Sequence, residues 1–172
     1  DKVLLFIGRM TNEKQPLKMI EIFSQLYEKD NTYRLLMIGQ GELLEQVKQN
    51  ISQKSLNKVA TMIEKIENSN IWEAFRIAHA YINLNEHEIF GMSILESMYY
   101  ECPVMALEAP GPDYIMEQGK YGFLCKDEME ICDRLESVCL NSNIEISRKR
   151  VGQKFMWKES AKVFTDIINL LN

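Results

Sequence analysis

Short apolar segments alternate with helical segments along the chain, and this alternation restricts the folds open to it more than any other feature. The first apolar segment, residues 3–7, is continuous, which is typical of a strand buried on both faces of a sheet. A helical pattern over 17–28 follows it, and a second buried strand is predicted over 34–38. Strands that alternate with helices form a parallel sheet with helices on both faces, so the chain is predicted to be an α/β protein.

The same order continues along the rest of the chain. Further strands are predicted over 59–63, 80–84, 103–107 and 122–125, and helices over 42–53, 71–78 and 92–100. Residues 129–171 are predicted to be helical with a break near Val151 and Gly152. About six parallel strands, without an internal repeat or a linker, predict a single Rossmann-like, doubly wound domain over residues 1–172.

The charge and the cysteine content narrow the classes of function. A formal net charge of −5 disfavours a non-specific nucleic-acid surface, so no nucleic-acid partner is predicted. None of the four cysteines forms a C-x-x-C pair and no Cys/His group has zinc spacing, so no metal site is predicted. Reduced cysteines, with no signal peptide or transmembrane segment in the sequence, predict a cytoplasmic protein. Because the sequence opens directly on a strand, an N-terminal partner domain is expected.

Ligands of such sheets bind beyond the carboxyl ends of the strands, so the residues that follow each strand are the candidates. Gly8 ends the first strand, where a glycine lets the chain turn sharply, and Arg9 and Lys14 come next. A guanidinium and an ammonium group at this edge can hold a diphosphate by charge-assisted hydrogen bonds. Taken alone, the two residues are better interpreted as solvated surface cations.

Two glycines, Gly39 and Gly41, follow the second strand and permit the close approach of a ligand. The dinucleotide-binding fingerprint is absent, because Leu44 stands where its third glycine belongs. A tight strand-to-helix turn is therefore the better interpretation of this segment alone.

Residues 86–96 carry the strongest signal, because they follow the fourth strand and open a helix at Gly91. A helix N-terminus presents free amide groups and the positive end of its dipole, which suits a phosphate. Glu88 lies just before that N-terminus and Glu96 just inside the helix, where carboxylates can accept hydrogen bonds from sugar hydroxyls. Ser93 and Glu96 also fit a capping box, so ligand binding and capping are equally supported.

The last candidate segment, residues 109–114, follows the fifth strand as a rigid loop that contains a glycine. It either closes over a ligand at this edge or is simply a turn. Neither histidine has a visible serine–carboxylate or cysteine partner, so His79 is predicted to be structural and His87 receives no role.

These segments, in this order, resemble the C-terminal domain of the group 1 glycosyltransferases, also called family 4, which are retaining enzymes of the GT-B fold. Six short motifs spread over nearly the whole chain carry the resemblance. They are 6–10 with Glu13 and Lys14, like vGRl…EKG; 36–41, like ivGdG; 88–91 with 95–98, like EgFG…lEaM; 103–106, like PVva; 119–124, like dGktGlL; and 157–161, like fsWe..a. Glu88 and Glu96 stand at the family's Glu-x7-Glu spacing. The resemblance implies that this chain is the C-terminal half of a GT-B enzyme.

The resemblance also implies a role for each residue of a donor site. Arg9 and Lys14 would bind the donor diphosphate together with the backbone of residues 91–93. Glu88 would lie by the transferred sugar and its distal phosphate, Glu96 would hold the ribose hydroxyls, and Glu64 would meet the base. Catalysis is thus assigned to Glu88, Arg9 and Lys14, and donor binding to Gly8, Gly39, Gly41, Glu64, Phe90, Gly91, Met92, Ser93 and Glu96.

Three residues depart from the family pattern. Gln15 replaces the glycine of the first motif. Ile89 replaces a small glycine beside Glu88, where its branched side chain either narrows the sugar pocket or turns outward. Tyr114 stands where many members carry glutamate, which alters the sugar-side contacts expected of that segment.

The function implied by the resemblance is transfer of a hexosyl group from a nucleotide-diphosphate sugar to an acceptor, in polysaccharide or glycoconjugate biosynthesis. The donor needs no separate cofactor, and side-chain cations would replace a metal ion. The acceptor, a sugar or a lipid-linked molecule, would bind the N-terminal domain, which can also place the enzyme at the inner face of the membrane. Without that domain this chain would transfer little or nothing. The alternatives are a non-catalytic nucleotide-sugar-binding module, favoured by Ile89 and Tyr114, and a domain of a GT-B nucleotide-sugar epimerase.

Overall fold

The computed structural model of the protein describes residues 1–135, 138, 144–159 and 161–162. In this part of the chain six strands form one sheet: β1 (Lys2–Ile7), β2 (Tyr33–Ile38), β3 (Ala60–Ile63), β4 (Ala80–Asn83), β5 (Val104–Leu107) and β6 (Phe123–Cys125). All are parallel, and they lie in the order β3-β2-β1-β4-β5-β6. This order confirms the predicted Rossmann-like sheet. It reverses direction between β1 and β4, which is where ligands of such sheets bind.

Seven α-helices of the described residues cover the sheet: α1 (Pro16–Lys29), α2 (Leu44–Gln53), α3 (Ile71–Ile77), α4 (Met92–Tyr99), α5 (Pro110–Met116), α6 (Glu128–Arg134) and α7 (Ile144–Lys154). Successive residues of β1 face opposite sides, so Leu4 and Phe6 join one apolar core and Leu5 joins the other. The first core is completed by α1, α2 and α6, and the second by α3, α4, α5 and α7. None of the helices within the described residues is long and apolar enough to cross a membrane.

The strands and the first four helices lie within two residues of their predicted limits, but the prediction of a loop over 109–114 is wrong. Most of this segment belongs to α5, which begins at Pro110. Prolines in the first turn of a helix remove no internal hydrogen bond, so the Pro-Gly-Pro sequence starts the helix instead of breaking the chain.

The predicted break in the C-terminal helical region is also misplaced. α7 runs unbroken through Val151 and Gly152 to Lys154, and the chain leaves the helix at Phe155. An isolated glycine at an exposed position of a helix weakens the helix without ending it. Residues 163–171 of the predicted helix lie outside the described residues.

The loop after β2 packs directly on the loop after β1. Met10 donates its amide proton to the Gln40 carbonyl oxygen at 2.8 Å. Gly39 and Gly41 have φ angles of 147° and 157°, and a Cβ on either would overlap the backbone of Gly8 or Met10. Gly8 itself is not left-handed, so its turn does not require a glycine. The structure therefore favours the turn interpretation of Gly39 and Gly41, which make room for a neighbouring backbone.

We expect Gly39→Ala to destabilise the fold by about 3 kcal/mol or more, because a left-handed backbone would carry a methyl group against the Gly8 carbonyl group. Gly152→Ala is the matched control, since a Cβ at this helical position meets no atom within 4 Å. It should stabilise the protein by about 0.5–1 kcal/mol. Denaturant unfolding measures both variants, and equal stabilities would contradict the packing of the two loops.

Candidate active site

Two loops meet beyond the carboxyl ends of β1 and β4, and an ion pair joins them. Lys14 ends a short 3-10 turn after β1, and its Nζ donates to Oε2 of Glu88 at 2.6 Å. Glu88 lies between β4 and α4, 74 positions further along the chain. The two side chains are only 22% and 12% exposed, so the pair is largely shielded from water. The fold thus brings together two of the three residues predicted to be catalytic.

Opposing influences set the charge of Glu88. Partial burial raises the pKa of its carboxyl group, whereas the hydrogen bond and charge of Lys14 and hydrogen bonds from Asn85 and Asn83 lower it. On balance the pKa of Glu88 is lowered, so the carboxylate is ionised at neutral pH. Glu88 is therefore a fixed negative charge in this site, and Lys14 maintains it.

Arg9 lies at the outer rim of the same edge. Its side chain is 71% exposed, and its guanidinium comes within 3.6 Å of the Glu13 carboxylate. Exposed pairs of this kind contribute about 0–1 kcal/mol, so Arg9 is held loosely and can turn to a ligand. Glu13 also accepts a hydrogen bond from Asn85 at 3.3 Å, which connects the rim to the Lys14–Glu88 pair.

α4 begins directly after the loop that carries Glu88. Gly91 precedes the helix with a φ angle of 98°, which favours glycine. No side chain caps the helix, and the Ser93 hydroxyl instead hydrogen-bonds with that of Tyr81 at 2.7 Å. The capping-box interpretation of Ser93 and Glu96 is therefore wrong. The first amide groups of α4, at Met92 and Ser93, have no intrahelical acceptor and suit an anion.

Glu96 is half-buried, and its carboxylate has no hydrogen-bond or ion-pair partner among the described residues. Burial raises the pKa of Glu96, and no neighbouring charge opposes the effect. A partly desolvated carboxylate without a partner destabilises the fold when it is ionised. Such a group is expected where a ligand supplies the missing hydrogen bonds.

Glu96→Gln is therefore expected to raise the melting temperature at neutral pH by up to a few degrees. Because the pKa of Glu96 is raised, the folded chain holds this proton more tightly than the unfolded chain, and stability is lost as pH rises through the folded pKa. The gain should vanish below the pKa of an unfolded glutamate. Calorimetry at acidic and neutral pH measures it, with Glu73→Gln on the exposed face of α3 as the control. If Glu96→Gln is no more stable than the wild type at neutral pH, the ionised carboxylate of Glu96 does not destabilise the fold.

A cleft of about 300 Å³ opens on the Arg9 side of the site, between the ends of β1, β2 and β3. It is lined by Ile7, Gly8, Arg9, Ile38, Gly39, Gln40, Glu64, Lys65, Ile66 and Ile71. Glu64, the predicted base contact, thus shares a cleft with Arg9, although its carboxylate is bound by Lys48 at 2.7 Å. Gly41 is not part of the lining. A larger cavity of about 590 Å³, next to Pro103 and Gly122, contains none of the predicted residues.

Two departures from the family pattern do not cover the Lys14–Glu88 pair. Ile89 is 84% exposed, so its side chain turns outward and does not narrow a pocket. Tyr114 packs edge-on against Phe155, with ring centroids 5.9 Å apart. Phe90 packs against the same ring at 6.3 Å, which places this predicted donor-binding residue in an aromatic cluster.

Gln15 occupies a left-handed backbone conformation, with a φ angle of 55°, where the family motif has glycine. Its side-chain amide donates to the Leu84 carbonyl oxygen at 2.9 Å and to the Glu86 carboxylate at 3.1 Å. These bonds tie the segment that carries Lys14 to the loop after β4. The departure therefore adds a contact between the two loops that form the site.

α5 supports the loop that carries Glu88 from the other side. The Gly111 amide donates to the Glu88 carbonyl oxygen at 2.8 Å. A Cβ on Gly111 would lie 2.7 Å from the Phe90 nitrogen and 2.8 Å from the Glu88 oxygen, which is too close for any other residue. The segment after β5 thus braces the candidate site.

Two buried asparagines next to the ion pair, Asn83 and Asn85, were not predicted as site residues from the sequence. Asn85 is 1% exposed and donates to Glu88 at 3.3 Å, and Asn83 is 5% exposed. A signal for both was present, because Tyr81, Asn83 and Asn85 put polar atoms at every second position of a run that is otherwise apolar. Polar groups on one face of a central strand need buried partners, and here those partners are site residues.

The chain is similar to known proteins in both its sequence and its fold. Residues 1–155 match the sequence profile of a family described as Glycosyl transferases group 1. The chain is 22% identical over 178 residues to the alpha-monoglucosyldiacylglycerol synthase of Acholeplasma laidlawii, covering 99% of this chain and 45% of that protein. It spans less than half the length of the curated relatives that it matches.

Solved structures show the same architecture. The fold superposes on a variant of S. aureus TarM in complex with Fondaparinux, alpha-GlcNAc-glycerol and UDP with a TM-score of 0.84 at 20% identity, covering 100% of this chain and 36% of TarM. It superposes on the C-terminal domain of a glycosyl transferase group 1 family protein, LpcC, from Francisella tularensis with a TM-score of 0.74 at 22% identity, covering 91% of this chain and 87% of that domain. At these identities the likeness establishes a shared fold.

Proposed function

The chain belongs to the group 1 glycosyl transferases, and on that premise we propose that it is the nucleotide-sugar-binding half of a retaining glycosyltransferase. The acceptor site would then lie on an N-terminal domain of the same enzyme. Since this chain spans less than half of its curated relatives, transfer would require both halves, and this half alone would bind the donor with little or no turnover.

The observation that carries the proposal is the Lys14–Glu88 ion pair next to the start of α4. A nucleotide-sugar donor combines a diphosphate with hydroxyl-bearing rings, and this edge of the sheet offers groups for both. Lys14, Arg9 and the free amides of α4 attract the diphosphate, while Glu96 is a carboxylate in need of hydroxyl partners. The 300 Å³ cleft beyond Arg9 has room for a base.

In the proposed mechanism the site stabilises the negative charge of the departing diphosphate. The bond between the sugar and the diphosphate breaks with its electron pair on the phosphate oxygen, so negative charge grows on the diphosphate. Lys14, Arg9 and the positive end of the α4 dipole stabilise that charge. Glu88, ionised beside them, faces the sugar on which positive charge develops. The acceptor oxygen bonds to the same face that the diphosphate leaves, and its proton passes to the departing phosphate oxygen.

The acceptor and the place of the enzyme in the cell are also part of the proposal. The names of two relatives support an acceptor that is a lipid or a polymer: one is a glucosyl-diacylglycerol synthase, and another is a poly(ribitol-phosphate) N-acetylglucosaminyltransferase. We therefore propose hexosyl transfer in polysaccharide or glycoconjugate biosynthesis, in the cytoplasm or at the inner face of the membrane through the N-terminal domain. The nucleotide-sugar donor would require no separate cofactor.

A non-catalytic module is the alternative that Ile89 and Tyr114 favoured. Its support weakens because Ile89 is exposed and Tyr114 packs on Phe155, so neither side chain blocks the Lys14–Glu88 pair. An ionised glutamate beside a cation is also what a transferase needs at this edge. The catalytic interpretation is therefore preferred.

Calorimetric titration of this chain with UDP, GDP and ADP tests the proposal. The wild type should bind at least one of them, and Arg9→Ala should weaken that binding about tenfold through the loss of a charged hydrogen bond. Arg148→Ala is the control, because Arg148 is also exposed, at 51%, but pairs with Glu101, just beyond the C-terminal end of α4. Failure of all three nucleotides to bind at millimolar concentration would remove the donor site.

A further inference from the structure

Three buried polar side chains occupy every second position along β4 and the loop directly after it. We call them the polar ladder: Tyr81, Asn83 and Asn85. They are 1%, 5% and 1% exposed. Apolar residues of similar volume would fill this space at a lower cost in desolvation. The ladder therefore needs an explanation in terms of what it holds in place.

Tyr81, the first member of the polar ladder, contacts the first turn of α4. The Tyr81 hydroxyl hydrogen-bonds with that of Ser93 at 2.7 Å and accepts a bond from Asn83 Nδ2 at 3.4 Å. Asn83 Oδ1 in turn accepts the backbone amide of Asn85 at 3.0 Å. The position of Asn85 is thus fixed relative to the start of the helix.

The side-chain amide of Asn85 joins two loops. Its Oδ1 accepts the backbone amide of His87 at 3.0 Å, and its Nδ2 donates to Glu13 Oε1 and Glu88 Oε2, both at 3.3 Å. Of the side chains of this size, only a neutral amide supplies one acceptor and two donors. The carboxylates of Glu13 and Glu88 would otherwise repel each other, and both accept a hydrogen bond from this one nitrogen.

Each of these carboxylates holds one of the two candidate phosphate ligands. Glu13 lies 3.6 Å from Arg9, and Glu88 lies 2.6 Å from Lys14. We propose that Asn85 is the positioning residue of the diphosphate site: it fixes Lys14 through Glu88, and through Glu13 it keeps the more mobile Arg9 at the same edge of the sheet. This inference rests on the proposed function, because it takes the two cations to be the diphosphate ligands.

The variant Asn85→Asp tests the inference in this chain. It keeps the shape and the acceptor for His87 but replaces the donating nitrogen with an oxygen that faces Glu13 and Glu88. The probes are whichever of UDP, GDP and ADP the wild type binds, and the corresponding nucleoside, both titrated by ligand-observed NMR. The diphosphate should bind about tenfold more weakly and the nucleoside within about twofold of the wild type. A residue that only supports the fold would weaken both ligands alike.

A charge-matched pair of double variants isolates the hydrogen bond from the added charge. Asn85→Asp with Glu88→Gln restores the net charge of the wild type, and the new glutamine amide can donate to the aspartate. Its diphosphate affinity should come within about threefold of that of Glu88→Gln alone. Asn85→Asp with Glu73→Gln has the same net charge, but Glu73 is an exposed residue of α3 outside the ladder, so affinity should stay low.

The outcomes separate this inference from the function on which it rests. Equal losses of diphosphate and nucleoside, or equal recovery with Glu88→Gln and Glu73→Gln, would overturn the positioning role of Asn85. If Asn85→Asp does not fold, Asn85→Ser carries the test: it cannot reach the carboxylates, and unchanged diphosphate affinity would overturn the inference. A wild type that binds none of the three diphosphates overturns the proposed function and this inference with it, before any variant is made.

Discussion

Glu88→Gln is expected to lower kcat for sugar transfer by about 10²–10³-fold in the enzyme that combines this chain with the proposed N-terminal domain, with nucleotide affinity changed by less than about threefold. The substitution keeps the size of the side chain and an oxygen for Lys14, so the fold and the cation stay in place. It removes the negative charge that the lowered pKa of Glu88 maintains at neutral pH. The loss should therefore fall on the chemical step, and single-turnover kinetics beside calorimetry measure the two effects separately.

Glu86→Gln is the matched control for that experiment. Glu86 precedes Glu88 by two residues in the same loop, but its side chain is 53% exposed and interacts with Gln15 and Lys18. Its substitution should leave kcat near that of the wild type. Equal turnover in the Glu86 and Glu88 variants would refute the catalytic role of Glu88.

The sheet was predictable because its strands are short, continuous apolar runs that alternate with amphipathic helices. The run over 34–38 is an example: both faces of β2 are covered, so every residue but the arginine is apolar. The start of α5 was not predictable in the same way. Pro-Gly-Pro is compatible with a loop and with the first turn of a helix, and only the packing of Gly111 on the Glu88 backbone decides between them.

The location of the candidate site could also be predicted, since the ends of parallel strands meet at one edge. Its internal contacts could not, because spacing along the chain does not show which side chains meet across it. The Lys14–Glu88 bond joins residues 74 positions apart, and Asn85 lies buried under both loops. For the second motif the sequence left a turn and a ligand contact open, and the structure shows that Gly39 makes room for the Gly8 backbone and also lines the cleft beside Arg9.

Lys14→Met is expected to lower the free energy of unfolding by about 1–3 kcal/mol at neutral pH and to weaken nucleotide-diphosphate binding about 100-fold. Glu88 would remain 12% exposed without its cation, so the partial burial that raises its pKa would be opposed only by the asparagines. Lys18→Met is the matched control, because its contacts to Glu86 and Glu128, at 3.5 and 3.6 Å, are longer and the pair is worth about 0–1 kcal/mol.

The pH dependence of the Lys14→Met defect has a definite sign. In the wild type the lowered pKa of Glu88 contributes stability above the pKa of an unfolded glutamate, and that stability is lost as pH falls through the folded pKa. Without Lys14 most of this contribution is lost, so the difference in melting temperature should be large at neutral pH and small in acid. Adding Glu88→Gln removes the unpaired charge and should restore stability but not affinity. If the Lys14→Met chain is as stable as the wild type at neutral pH, the ion pair does not hold the two loops together. If the double variant recovers the diphosphate affinity of the wild type, Lys14 acts on Glu88 alone and does not bind the diphosphate.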